Sequence, residues 1–337
     1  MQSSSALPVW RGALYVAIAA TAWGTGGAVA TEMYDVGGIG PVAVSFWRFL
    51  TGLGLLLAAH SVWRARRPET VSSLRAMFAA NPRRALITGF GMAVAQSAYF
   101  ASVQQAGLAV GTVATLGLGP LLVAVGARLT LGERTGAAGT AAVASGVAGL
   151  ALLMGGADGS TGPNPLLGIG YALLSAAGYA GVTLLGRFAG RDNPSGAFES
   201  TLPGFTVGML CLLPMAVWEG LVPDMDRPAW TLGLILYLGA VPTALAYILL
   251  FIGLRVVRAT TASVVALVDP LTAAAIGVLV FGERLNAIAL TGTALLLFAV
   301  LFLAAREGFG QPRSRRSPDL DRGRARRAPQ PSTRTEE

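Results

Sequence analysis

Apolar residues run along most of this chain in blocks of about twenty, the length a helix needs to cross the hydrocarbon core of a bilayer. Ten such blocks are legible: 12–31, 41–62, 84–103, 109–128, 136–155, 166–187, 200–219, 230–252, 260–281 and 287–305. The polar gaps between them are short. The exception is 63–83, which is Arg-rich and long enough for a short surface helix. From 306 to 337 the chain turns to Arg, Pro and Ser, a composition expected to stay disordered because it has too little apolar surface to bury.

The blocks are not independent. Pro120–Leu153 and Pro270–Leu303 align at an offset of 150, with Pro120 on Pro270, Gly132 on Gly282, Glu133 on Glu283 and Arg134 on Arg284. The opening blocks of the two halves align at an offset of 156, with Gly12, Tyr15, Ala20 and Trp23 on Gly168, Tyr171, Ala176 and Tyr179. A strongly apolar unit present twice is the sequence mark of membrane transporters built from internal repeats. The expected fold is therefore an all-α polytopic membrane protein, ten transmembrane helices arranged as two five-helix repeats. The expected organisation is an N-terminal segment at 1–11, a first repeat at 12–155, a linker at 156–165, a second repeat at 166–305 and the Arg-rich tail at 306–337. Arg11, the first apolar block and Ala28-Val29-Ala30 resemble a cleavable signal. Cleavage would remove the partner of 166–187, so the block is assigned as a span.

Composition narrows the function. Only 12% of residues are charged, against about 25% in soluble domains, which is too few to cover a globular surface. Every one of the 25 basic residues is Arg. Without Lys there is no phosphate-loop lysine and no Schiff-base lysine, so no ATP-driven engine is encoded. One Cys (Cys211) and one His (His60) give neither a disulfide framework nor a metal cluster, and no cofactor is expected.

The net charge of +8 does not mark a nucleic-acid-binding face. With the N-terminus inside, 22 of the 25 Arg fall on the inner side, nine of them in the tail, and only Arg227 and Arg284 fall outside. Arg48 lies within the second span. Such a bias orients membrane proteins and predicts both termini in the cytoplasm. Five spans per half is an odd number, so the second half enters from the opposite face and the repeats are inverted. Gly24-Thr25-Gly26-Gly27 and Gly111–Gly119 offer small surfaces for close helix packing, which membranes require because lipid does not drive helices together.

The duplicated unit, Trp23-Gly24, Phe46-Trp47-Arg48-Phe49 and the Pro followed by Gly-Glu-Arg in each half together resemble the EamA-type branch of the drug/metabolite transporter superfamily. The resemblance covers residues 10–305. It implies a ten-helix fold with a central cavity between the halves. It also implies secondary transport, often export, of amino acids, metabolites or drugs. Two departures from internal symmetry stand out. An offset of 156 from Arg48 lands on Gly204, and the residue before the Pro is Asp269 in the second half but Gly119 in the first. The family often carries an acid before that second Pro.

Six residues are expected to bind substrate or couple its movement. Asp269 lies near the middle of the ninth span, where a charge costs roughly 2.5–3.5 kcal/mol on insertion scales. It should face a wet cavity, meet a partner or carry a proton. Its alternative role is a structural acid bonded to a neighbour such as Ser263. Pro270 frees a backbone carbonyl one turn earlier, a second source of polarity. Arg48 can clamp a carboxylate through its planar fork, or else snorkel or form a fixed ion pair. Trp23, Tyr99 and Tyr179, with Tyr247 beside them, can hold organic solutes by apolar and cation–π contact, or simply pack the bundle. Gln96 can hydrogen-bond a substrate or another helix. Glu133-Arg134 and Glu283-Arg284 read as caps and hinges before spans 5 and 10, and Glu199 as a gate acid or a cap.

The expected function is secondary transport of a small organic solute across the plasma membrane, outward, by rocking of the two halves with proton coupling. A passive channel or facilitator is the first alternative, and it needs no titrating residue in the path. An intramembrane enzyme would need a catalytic pair, such as His-Glu-x-x-His or two intramembrane acids, that the sequence lacks. A non-transporting receptor or structural membrane protein needs no inverted duplication. The lipid bilayer is the expected partner, nucleic acid is not, and oligomeric state is open.

Overall fold

The structure, a computed structural model, describes residues 8–66, 73–80, 82–131, 136–155, 162–189, 196–224, 226–254, 256–257 and 265–310. Glu133-Arg134, Ser263 and most of the tail lie outside these, as does the Glu199 side chain.

The regular structure of the described residues is helical: α1 Val9–Gly37, α2 Pro41–Arg66, α3 Leu74–Ala80, α4 Pro82–Ala106, α5 Leu108–Leu131, α6 Gly136–Gly155, α7 Pro165–Ala189, α8 Gly196–Glu219, α9 Pro228–Gly239, α10 Ala246–Leu254, α11 Val268–Leu279 and α12 Ala287–Gly310. A six-residue π-helical turn, Ala240–Leu245, joins α9 to α10. Among the described residues, seven helices are long and apolar enough to cross a membrane, counting Pro228–Leu254 as one. Shorter apolar helices cover Thr140–Leu153, Val268–Leu279 and Ala287–Ala299. The Arg-rich gap expected to hold a surface helix holds α3.

Local chemistry sets the ends of these helices. Pro opens α2, α4, α7 and α9, where its missing N–H costs nothing and its fixed φ suits the first turn. Gly38 closes α1 at φ 60°, and Gly107 at φ 88° turns the chain between α4 and α5. Only Gly takes that conformation at low cost.

Two carboxylates cap helices remote in sequence. Glu219 accepts a hydrogen bond from the Ala43 amide of α2 (2.7 Å). Glu283 accepts from the Leu108 amide, and from Ala109 at 2.8 Å, at the start of α5. Burial lifts the Glu283 carboxyl above the usual carboxylate range, and its two amide donors pull the other way. The sequence suggested that Glu283 caps the following helix. It caps α5 instead, a partner that spacing along the chain cannot reveal.

The helices pack across the two halves in exchanged pairs. Where α4 packs on α7, α1 packs on α9, the π turn and α10. Where α5 packs on α7, α11 packs on α1, and where α4 packs on α8, α9 and the π turn pack on α2. Three further contacts join α2 to α8, α5 to α11 and α6 to α12. Glycines make several crossings close. A Cβ at Gly149 of α6 would stand 2.8 Å from the Leu296 amide and 2.9 Å from the Gly292 carbonyl of α12. One core cluster centres on Phe46, Phe49, Phe100 and Phe205, and another on Val110, Leu153, Ile169 and Leu296. Large apolar side chains also face outward, Leu129 at 79% exposure and Leu279 at 81%, as lipid contact requires and water would not tolerate.

Candidate substrate and coupling site

The glycine-rich stretch of α1 is where the site is assembled. At Gly24, a Cβ would lie 2.7 Å from the Asp269 carbonyl and 2.6 Å from Thr272 Cβ, so α1 touches the start of α11. At Gly26, it would lie 3.5 Å from Pro242 and 3.9 Å from Arg48 Nη1. At Gly27, it would lie 2.8 Å from the Tyr99 hydroxyl. Three glycines in one turn of α1, interrupted only by Thr25, thus let α2, α4, α11 and the π turn converge.

Arg48 is held by groups that do not neutralise it. Its Nε donates to Thr243 Oγ1 (3.0 Å) and its Nη2 to the Pro242 carbonyl (3.2 Å). Thr243 in turn donates to the Leu238 carbonyl (2.9 Å). The π turn presents both acceptors, and its cause is Pro242, which has no N–H to complete an α-helical ladder. The guanidinium stands over the Phe100 ring at 5.7 Å from its centroid. Arg48 is 8% exposed, and its described hydrogen-bond partners include no carboxylate. A buried cation so placed retains its attraction for an anion.

Asp269 is not deep within a continuous helix, as its place in the ninth apolar block suggested. It lies in the first turn of α11, just after a turn at Ala266–Leu267. Its amide donates to the Ala266 carbonyl (3.1 Å), the carbonyl that Pro270 cannot serve. In the first half the matching Pro120 lies inside an unbroken helix, α5. The acid and the helix start are therefore features of the second half alone. A helix beginning within the apolar interior is a recurrent device at transporter binding sites.

Four of the six expected residues come together. Arg48 and Asp269 lie in each other's electrostatic range, as do Tyr99 and Tyr179 with both of them. The Tyr99 hydroxyl is 3.1 Å from Thr112 Oγ1 and its ring is 5.2 Å from Phe100. Tyr179 is exposed and lies in the electrostatic range of both charges. Trp23 joins through Tyr247, edge-on at 5.7 Å, and Tyr247 senses Arg48 and Tyr179. Gln96 is one turn from Tyr99 and Phe100 on α4, but among the described residues no hydrogen bond joins it to the other five.

Thr243, Pro242, Thr112 and Phe100 were missed from the sequence. Of these only Pro242, a Pro inside an apolar block, carried a local signal.

Comparison with known proteins decides the family. The profile of the EamA-like transporter family matches residues 10–155 and again 166–305. This chain belongs to the EamA-like transporter family. The uncharacterized transporter YwfM of Bacillus subtilis (strain 168) is 30% identical over 292 residues, covering 87% of this chain and 93% of that protein. An uncharacterized transporter of Archaeoglobus fulgidus is 30% identical over 211 residues, covering 63% of this chain and 72% of its own. A protein of known crystal structure superposes with a TM-score of 0.57 at 20% identity, over 88% of this chain and 98% of that one, and shows the fold alone. This EamA-family chain is thus a multi-pass membrane protein, and the family points to transport rather than catalysis.

Proposed function

We propose that this protein is a secondary transporter of the plasma (inner) membrane that exports a small organic solute bearing an anionic group. The solute is of the amino acid, metabolite or drug class. Two inverted five-helix repeats, residues 12–155 and 166–305, rock about the site to give alternating access, with both termini in the cytoplasm. The exchanged pairing of helices across the halves supports this arrangement, since a two-fold relation between inverted units swaps their contacts in just that way.

The observation that carries the reading is the meeting of Arg48, Asp269 and Tyr99 at one turn of α1, with Tyr179 in the electrostatic range of both charges. Arg48 offers its free guanidinium edge to the anionic group of the solute. The aromatic side chains cover its apolar body. Asp269 takes a proton on one side and gives it up on the other, and Arg48 senses which form it is in. Trp23 and Gln96 complete the lining in this scheme.

The test is transport into and out of proteoliposomes with an imposed pH gradient, across solutes that differ in charge. Faster movement of carboxylate-bearing solutes than of their amide analogues supports the reading. Equal rates with and without the gradient favour a passive facilitator.

A further inference from the structure

The end of α2 remote from Gly38 carries a second polar site. Together with Ser73 and α3 it borders an open cavity of about 650 Å³ lined by His60, Ser61, Arg64, Ala65, Ser73 and Arg75. Two guanidinium groups, an imidazole and two hydroxyls line one space. Every polar side chain of that set can donate a hydrogen bond, and among them no carboxylate competes.

His60 is the telling member. It is 2% exposed, and neither ring nitrogen has a hydrogen-bond partner. A buried polar group without a partner is costly, and its persistence calls for a ligand or a bound group. Arg64 and Arg75 are exposed and have no acidic partner among the described residues. Neither is needed to balance a charge within the fold.

The surroundings select the source of the anion. Trp63, 40% exposed, lies on α2 between the cavity-lining residues Ser61 and Arg64, and amphipathic rings of this kind favour the headgroup level. Leu55 and Val62, two turns apart on one face of α2 and both exposed, lead from the cavity toward the apolar interior. On the other side α3 is anchored by Met77, buried in the main core cluster, so the cavity has a fixed wall. A headgroup above and acyl chains below match this layout.

We propose that this cavity is a binding site for the phosphate of an anionic phospholipid, held by Arg64, Arg75 and the imidazole of His60. The site goes beyond the transport reading, resting on it only for the assignment of the Arg-rich end of α2 to the cytoplasmic leaflet. Because Arg48 and His60 lie on the same helix, lipid bound here steadies the element that carries the substrate-binding guanidinium.

Full-length protein in neutral detergent tests this by titration with phosphatidylglycerol, phosphatidylcholine or inorganic phosphate, reading thermal unfolding and binding. Phosphatidylglycerol should raise the unfolding temperature and phosphatidylcholine should not. The doubly substituted Arg64→Gln/Arg75→Gln protein should bind phosphatidylglycerol at least about tenfold more weakly, as expected for lost charge-assisted hydrogen bonds. Arg66→Gln/Arg83→Gln removes the same charge outside the cavity and should leave binding near the wild-type value. Equal weakening in both double variants would overturn the site in favour of diffuse attraction. An equal thermal shift from inorganic phosphate would overturn the lipid assignment. Absence of solute transport by the wild-type protein, with phosphatidylglycerol binding and its dependence on Arg64 and Arg75 intact, would count against the transport reading and uphold the lipid site.

Discussion

At the scale of single residues the account turns on how Arg48 is held. Its two hydrogen bonds to Thr243 and Pro242 fix the fork without spending its charge. Arg48→Ala should abolish transport of anionic solutes, and Arg48→Lys should restore it only in part, since an ammonium lacks the planar fork. Wild-type uptake by correctly inserted Arg48→Ala protein would remove the residue from the site. Thr243→Val keeps the shape but leaves the buried Nε–H without its acceptor. The expected cost is about 1–3 kcal/mol of stability, read by thermal unfolding in detergent, with Thr243→Ser near wild type. Arg48 and Asp269 were legible because charges inside apolar blocks are few and expensive. Thr243 was not, because its importance comes from a neighbour 195 residues away along the chain.

At the scale of elements, glycine spacing decides how closely helices meet. Gly149→Ala forces a Cβ against backbone atoms of α12 that cannot rotate away. It should destabilise the protein by about 1–3 kcal/mol, measured as a fall in unfolding temperature. Gly181→Ala, with nothing within 4 Å of its new methyl, should be neutral or stabilising because Ala favours the helix. Equal losses in both would mean that crossing distance is not what the glycines set. The existence and order of the apolar helices were legible from block length, and their ends from Pro and Gly. The π turn was not, because Pro242 announces a disturbed helix without saying which way the backbone relaxes. Nor was the turn before α11, where Pro270 and Pro120 look alike in sequence and differ in structure. Tertiary packing settles what the local signal leaves open.

At the scale of the whole molecule, the duplication was legible in the sequence, and the family profile matches once in each half, over residues 10–155 and 166–305; the Arg bias supplies an expected orientation. Inversion has a direct test. In a Cys211→Ser background, single cysteines replacing Arg134 and Arg284 should label from opposite sides of the membrane, Arg134 from the cytoplasm. Labelling of both from one side would end the inverted-repeat account. The central claim is that Asp269 couples solute movement to protons, and one comparison addresses it. Asp269→Asn keeps the shape and hydrogen-bonding reach of the side chain but cannot exchange a proton. In proteoliposomes it should lose transport driven by a pH gradient while retaining solute exchange at a rate closer to wild type. Gradient-driven transport by Asp269→Asn at the wild-type rate would contradict the claim.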